Sequence, residues 1–266
     1  MDLNMKTEDE RQWASQGFNE QADYYDKFRL DYPEELVKTI IDKANLTAGS
    51  KLLEIGSGTG RATLQFADFG FEIVCIEPAI ALIEIAKTKL KDKNIEFMGS
   101  TFEDYAEPSE YFDVIISAQA FHWVTQPLGY EKCSKVLKKG GCLVPFWNVN
   151  IIRDDVDLDR ELWSIITKYE GYSNFMPEKD YVERMESITS KIVGSGLFSK
   201  PEIIHFYKEY NFTANDFYNY MLTVGAVSKK ADAEKQACHE ELTQLAKKYN
   251  GIKLNFHYEL YFTQKL

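Results

Sequence analysis

The sequence predicts an α/β fold: a doubly wound, mostly parallel sheet with helices on both faces. Three observations predict it. From Lys51 to Phe146, short apolar runs alternate with helical patterns, the rhythm of parallel strands joined by crossover helices. The first run, Leu52-Leu53-Glu54-Ile55, opens directly into Gly56-Ser57-Gly58-Thr59-Gly60, so strand, glycine turn and helix follow one another without a loop. The second run, Ile73-Val74-Cys75-Ile76, ends on an acid, Glu77.

In chain order, residues 1–32 are polar with spaced aromatics (Trp13, Phe18, Tyr24, Tyr25, Phe28 and Tyr32), a pattern of one or two short helices lying over something. Pro33 opens a helix to about Ala44, with Leu36, Val37, Ile40 and Ile41 on one face. Strands are expected at Lys51–Ile55, Glu72–Ile76, Ile95–Met98 and Phe112–Ser117, with helices at Arg61–Phe69 and Gln126–Leu137. Pro78 is placed in the first turn of a helix reaching about Leu90, where its missing N–H costs nothing. Gly140 and Gly141 turn the chain into a fifth strand, Cys142–Phe146.

After Asn150 the rhythm changes. Residues 151–190 read as mostly helical, with Leu162, Trp163, Ile165, Ile166 and Tyr169 as a buried stripe. Glu202–Phe212 reads as a strand, and Asn215–Val227 and Asp232–Tyr249 as helices. The alternation of Leu254, Phe256, Tyr258, Leu260 and Phe262 marks a last strand. These closing strands break the β–α–β rhythm and suggest an antiparallel, hairpin-like edge. The organisation is thus one domain, 1–266: an N-terminal segment 1–32, a core 33–149, excursions 150–200 and 213–250, and closing strands 201–212 and 252–264.

Composition narrows the function. A chain of 266 residues, 44% apolar and 27% charged, can bury a full core. Its net charge of −11 argues against a nucleic-acid partner, which needs clustered Lys and Arg. Cys75, Cys133, Cys142 and Cys238 show no metal or disulfide spacing, so neither a metal site nor a disulfide framework is expected. No leader pattern opens the sequence and no apolar run approaches the ~18 residues of a membrane span. The expectation is a cytoplasmic protein without a membrane partner, monomeric or homodimeric.

An acid at the tip of the second strand is placed to accept hydrogen bonds from both hydroxyls of a ribose, which makes Glu77 the anchor of an adenosine-containing cofactor. A nicotinamide dinucleotide and S-adenosylmethionine are the candidates. The dinucleotide fingerprint is G-x-G-x-x-G; here Gly56-x-Gly58-x-Gly60 is one residue tighter, and Glu54 stands two residues before it. A carboxylate opposes a pyrophosphate but stabilises an ammonium and a sulfonium, which favours S-adenosylmethionine.

Leu53 to Gly60 resembles motif I of the class I S-adenosylmethionine-dependent methyltransferases. Glu77 resembles their ribose acid, Phe112-Asp113-Val114-Ile115-Ile116-Ser117 their fourth-strand motif, and Val136 to Gly141 the turn into their fifth strand. The resemblance is good over about residues 34–147 and implies a Rossmann-like, seven-stranded sheet with the last strand antiparallel. A narrower similarity, to small-molecule, trans-aconitate-methyltransferase-like (type 11) members, lies in Tyr24-Tyr25-Asp26-x-Phe28-Arg29-x-x-Tyr32-Pro33 and in Ala118 to Trp123. Leu30 stands where that branch often has proline.

The resemblance implies a methyltransferase that converts S-adenosylmethionine to S-adenosylhomocysteine on a small-molecule acceptor. It implies that Gly56, Ser57, Gly58 and Gly60 follow the methionine and ribose portions, with Pro78 beside Glu77. Thr101, Phe102 and Glu103 would seat the adenine, and Gln119 would face the methyl group or cap a loop. Glu54 either holds the ammonium or bonds its own loop. Tyr24, Tyr25, Arg29 and Tyr32 would form a lid, Arg29 pairing either with a carboxylate of the ligand or with Asp26 or Asp31. His122 is either a general base or a packing residue closing the pocket, and we favour the second. Trp147, Trp163, Tyr169, Phe175, Phe217, Tyr218 and Tyr220 are candidates for the acceptor pocket. The rivals are an NAD-dependent oxidoreductase and a non-catalytic S-adenosylmethionine-binding protein.

Overall fold

The computed structural model describes residues 22–106, 108–169, 174–224 and 226–266; Trp13 and Phe18 lie outside them. The strands are β1 (Lys51–Ile55), β2 (Glu72–Ile76), β3 (Ile95–Met98), β4 (Phe112–Ala118), β5 (Leu137–Ile152), β6 (Phe175–Pro177), β7 (Glu202–Phe212) and β8 (Ile252–Gln264). The helices are α1 (Ala22–Phe28), α2 (Glu34–Lys43), α3 (Arg61–Phe66), α4 (Ile80–Lys89), α5 (Leu128–Val136), α6 (Asp157–Tyr169), α7 (Glu178–Gly194), α8 (Ala214–Val224) and α9 (Asp232–Tyr249).

The sheet order is β3-β2-β1-β4-β5-β8-β7, and β6 pairs with the far end of β5. β8 runs antiparallel to both its neighbours, so the sheet is mostly parallel with its last strand reversed, as expected. That last strand is not at the edge. Tyr258, Glu259, Leu260 and Tyr261 are all fully buried, so both faces of β8 are covered. β7, whose side chains are mostly half-buried or exposed, takes the edge instead.

Alternation along the strands builds two cores. Leu52, Val114, Ile116, Val144, Phe146 and Leu260 face one side with α2 and α3. Leu53, Ile115, Leu143, Trp147 and Tyr261 face the other, with Cys133 and Val136 of α5 and Ile188 and Ile192 of α7.

Some boundaries differ from expectation. β5 extends to Ile152, because its second half finds partners in β8 and β6 that the local pattern does not reveal. Gly140 and Gly141 lie within it, at an irregularity opposite Phe112–Val114. Pro78 lies outside α4, which starts at Ile80, because Glu77 bonds the Ala79 N–H and delays the helix. The helix beginning at Ala214 ends at Val224, followed by a 3-10 turn at Ala226–Lys229.

Candidate functional site

Gly56, Gly58 and Gly60 all have positive φ, between +56° and +74°, so the turn after β1 needs residues that enter the left-handed region without strain. Gly56 has a second constraint: a Cβ there would lie 2.3 Å from that of Ala120, in the connection leaving β4. The turn is tied to β2 by Gly56 and Ser57, which donate their N–H groups to the Ile76 carbonyl at 2.8 and 3.2 Å. β1 is tied to β4 by the Ser117 hydroxyl, which donates to the Ile55 carbonyl at 2.9 Å.

Two carboxylates flank the turn. Glu54 is buried and accepts a hydrogen bond from the Thr63 hydroxyl at 2.6 Å. Burial, aided by the charge of Glu77 and opposed by Thr63, lifts its pKa to about 8. Glu77 accepts from the Gly58 N–H and the Ala79 N–H, each at 2.9 Å, one on each oxygen. Burial raises it to about 7 against those two donors. Each Glu77 oxygen thus carries one backbone hydrogen bond and retains acceptor capacity for a second.

Above the turn lies a polar crevice of about 40 Å³, walled by Tyr25, Arg29, Tyr32, Glu54, Gly56, Ser57, Gly58, Arg61, Gln119 and Asn148. The segment from α1 to Tyr32 closes it. Asp26 pairs with Lys89 at 2.7 Å and Asp31 with Arg61 at 3.1 Å. Arg61 also donates to the Arg29 carbonyl, and Tyr24 donates to Asn219 of α8. The hydroxyls of Tyr258 and Tyr210 donate to the Asp31 carbonyl at 3.0 and 3.3 Å.

Both acids offered to Arg29 as partners are therefore taken by other cations, which corrects that alternative. Its guanidinium lies over the Tyr25 ring, 4.7 Å from the centroid. Arg29 Nε is buried without a protein hydrogen-bond partner, while the buried hydroxyls of Ser57 and Thr59 interact with Cys75 and Asp26.

Tyr25, Arg29, Glu54, Gly56, Ser57, Gly58 and Gln119 are thus brought together. Gly60 and Glu77 support the turn from behind, and Pro78 is exposed beside it. Thr101, Phe102 and Glu103 are each engaged elsewhere and do not line the crevice. The Thr101 hydroxyl donates to Asp104 at 2.7 Å, Phe102 is buried in the core beside β2 and β4, and the Glu103 carboxylate accepts from both the N–H and the hydroxyl of Thr125 at 2.7 Å.

Arg61 and Asn148 are crevice residues that sequence reasoning missed. Arg61 had a signal: it opens a helix, where the dipole disfavours a cation, so a local reason for it is required. Asn148, buried in a central strand, was equally out of place.

A second, larger cavity of about 420 Å³ lies on the other face of β5. Asn148 faces the crevice, while the neighbouring Trp147 floors this cavity with Phe121, His122, Val124 and Tyr130, α7 supplies Ile188 and Lys191, and Ser195 caps that helix at the cavity. The Trp147 Nε1–H donates to His122 Nδ1 at 3.2 Å. Of the aromatics named as pocket candidates, Trp147 alone lines it. Phe175, Phe217 and Tyr220 are in the core with Phe256, ring centroids 5.7 to 6.5 Å apart, and the Tyr169 hydroxyl donates to Glu241 at 2.7 Å. Among the described residues, no three His, Cys, Asp or Glu cluster as a metal site, and no helix is long and apolar enough to cross a membrane.

Comparison with known proteins agrees with this geometry. Residues 53–144 match the family model described as a methyltransferase domain. A protein of Anoxybacillus flavithermus named as a methyltransferase is 30% identical over 200 residues, covering 74% of this chain and 82% of that protein. A Dictyostelium discoideum protein, also named as a methyltransferase, is 30% identical over 161 residues; these are 60% of this chain, which spans only 59% of that relative. Among solved structures, one described as a Type II methyltransferase from Anaeromyxobacter dehalogenans superposes with a TM-score of 0.61 at 20% identity, covering 89% of this chain and 97% of that one. The chain belongs to the methyltransferases, in the class I, S-adenosylmethionine-dependent family.

Proposed function

We propose that this chain transfers a methyl group from S-adenosylmethionine to a small-molecule acceptor, releasing S-adenosylhomocysteine. The observation that carries this reading is the crevice above the glycine turn, which a carboxyl group, Glu54, and a guanidinium, Arg29, both line, the latter with its Nε buried and unpartnered. A methionine group carries an ammonium and a carboxylate, and this donor set suits both. When bound, the cofactor supplies a methyl on a sulfonium, already a good electrophile.

The protein's own part is holding, orienting and excluding water. Glu54 holds the ammonium and Arg29, steadied by Tyr25, the carboxylate. Gly56, Ser57 and Gly58 offer close backbone approach, and Glu77 uses its remaining acceptor capacity for the ribose. Gln119 stands at the β4 end of the crevice. A space of about 40 Å³ holds little more than a water, so entry requires α1 and the residues to Tyr32 to swing away and close again. The body of the acceptor is assigned to the 420 Å³ cavity, whose mostly apolar lining suits a small organic molecule in the cytoplasm; transfer then requires its nucleophilic atom to reach past the rim where Gln119 and Asn148 line the crevice and His122 and Trp147 the cavity. His122 serves there as a wall residue, consistent with its bond to Trp147.

Calorimetric titration with S-adenosylmethionine, S-adenosylhomocysteine and NAD tests the reading. Binding of the first two without NAD is expected; binding of NAD alone would overturn it. Methyl release against an acceptor panel then separates an enzyme from a protein that merely binds the cofactor.

A further inference from the structure

A buried charge pair lies on the face of the sheet away from the crevice. Arg184 of α7, 9% exposed, pairs with Glu259 of β8, 0% exposed. The second Glu259 oxygen accepts from the Tyr261 hydroxyl at 3.3 Å. Both ions lose their hydration here, and apolar residues of similar volume commonly stabilise a fold as well or better. What the pair touches suggests its use. The register of β5 with β8 sets Glu259 directly opposite Trp147, so Trp147, Glu259 and Tyr261 share one face. The Arg184 guanidinium lies over the Trp147 ring at 5.2 Å, and the Tyr261 ring meets it edge-on at 5.7 Å and 81°. Thus clamped, the indole directs its one polar group, Nε1–H, at His122 Nδ1.

An indole N–H only donates, so the Nδ1 that receives it carries no proton, and in a neutral imidazole the proton then sits on Nε2. We propose that Trp147 is a positioning residue that holds His122 in the tautomer protonated at Nε2, and that the Arg184–Glu259 pair keeps the indole in the orientation this requires. A base acting through Nε2 needs that nitrogen bare and Nδ1 protonated, which sets two N–H groups against each other at Trp147. The imidazolium meets the same conflict. His122 is therefore a hydrogen-bond donor at Nε2. An acceptor in this cavity brings a nucleophile whose lone pair is already available, or gives up its proton elsewhere. That last consequence rests on the methyl-transfer reading; the tautomer does not, and is read without turnover.

Nitrogen-15 NMR of the full chain labelled in histidine, near neutral pH, tests the proposal. The His122 signals are assigned by their loss in His122→Gln. In the wild type they are expected to show a bare Nδ1 and a protonated Nε2. In Trp147→Phe, which keeps a ring in the clamp but removes the donor, the bare-nitrogen signal is expected to shift from Nδ1 toward a mixture of tautomers. A smaller shift in the same direction is expected when Arg184→Met and Glu259→Leu are combined, which removes both charges without stranding either. A wild-type His122 protonated at Nδ1, or an unchanged tautomer in Trp147→Phe, overturns the role of Trp147. An unchanged spectrum in the double variant overturns the role of the pair. Absence of S-adenosylmethionine binding by the wild type would sink the methyl-transfer reading and leave these results standing.

Discussion

The two halves of the sheet are built on different principles. Around β1 and β2 the site is made of backbone: three positive-φ glycines, N–H groups turned toward Ile76 and Glu77, and two buried acids, all within residues 54–77. Around β7 and β8 the interior is made of rings from distant elements, with Phe212, Phe217, Tyr220 and Phe256 meeting at centroid distances of 5.5 to 6.3 Å. A backbone-built site admits few residue types at each position. A ring-built core admits any apolar set of the right volume. The first should therefore fail in function when one atom is added, and the second in stability when atoms are removed.

The largest effect tests the second half. Phe256 is fully buried among Phe175, Tyr210, Phe212 and Tyr220. Phe256→Ala should cost about 3–5 kcal/mol in chemical denaturation, the usual range for an emptied aromatic site. S-adenosylmethionine affinity of the folded fraction should not change. A matching loss of affinity would mean that the halves are coupled and the contrast is false.

Next in size is Gly56→Ala. The added methyl would meet the Ala120 Cβ at 2.3 Å and force a non-glycine residue to φ +72°. Overpacking and left-handed strain together should cost about 2–4 kcal/mol and abolish measurable cofactor binding. Gly58, with φ +56° and open space for 4 Å around the place a Cβ would take, provides the control for the stability loss, because without ligand Gly58→Ala meets the strain alone. Equal losses of stability in the two unliganded variants would show that the approach of Ala120 is not what demands glycine.

This contrast also explains what could be read from the sequence. Gly56-x-Gly58-x-Gly60, Glu54 and Glu77 are residue types with few alternative uses at that spacing, so the turn, its strands and the cofactor class were legible. Arg29 was legible as a candidate, but its freedom from Asp26 and Asp31 depended on where Lys89 and Arg61 fall. The interior position of β8 was not legible, because alternation marks a strand without naming its neighbours. Nor was the separation of Trp147 from Phe175, Phe217 and Tyr220. All four read as buried aromatics, and only the register of β5 puts the first beside a cavity and the path of the later chain puts the others in the core.

A smaller effect separates the two acids from the rest of the turn. Glu54 and Glu77 have folded pKa values of about 8 and about 7, above the usual carboxylate range. The folded state therefore binds more protons than the unfolded one between roughly pH 4.5 and 8. Their contribution to stability is full below that window and falls as pH rises through it. The ammonium of the cofactor favours ionised Glu54, so the thermal shift given by S-adenosylmethionine should grow over the same interval. Glu54→Gln should flatten the ligand-induced trend and leave only the Glu77 part of the stability trend. A ligand-induced shift that still climbs with pH in that variant would place the responsible proton elsewhere.

The smallest effect isolates one contact. Arg29→Lys keeps the charge beside Tyr25 but loses the planar fork that matches a carboxylate. Affinity for S-adenosylmethionine should fall about tenfold, roughly 1.4 kcal/mol, with little change in melting temperature. S-adenosylhomocysteine should weaken equally, because it carries the same carboxylate. 5′-Methylthioadenosine keeps the nucleoside and thioether but has neither ammonium nor carboxylate, so its affinity should be the same in both proteins. If it weakens in parallel, Arg29 acts by shaping the lid, and the guanidinium over Tyr25 is packing rather than recognition. If only the two amino-acid-bearing ligands weaken, the carboxylate is bound by a side chain from α1's end of the chain, while the ribose is bound from the β2 end. The crevice is then closed by the ligand it recognises.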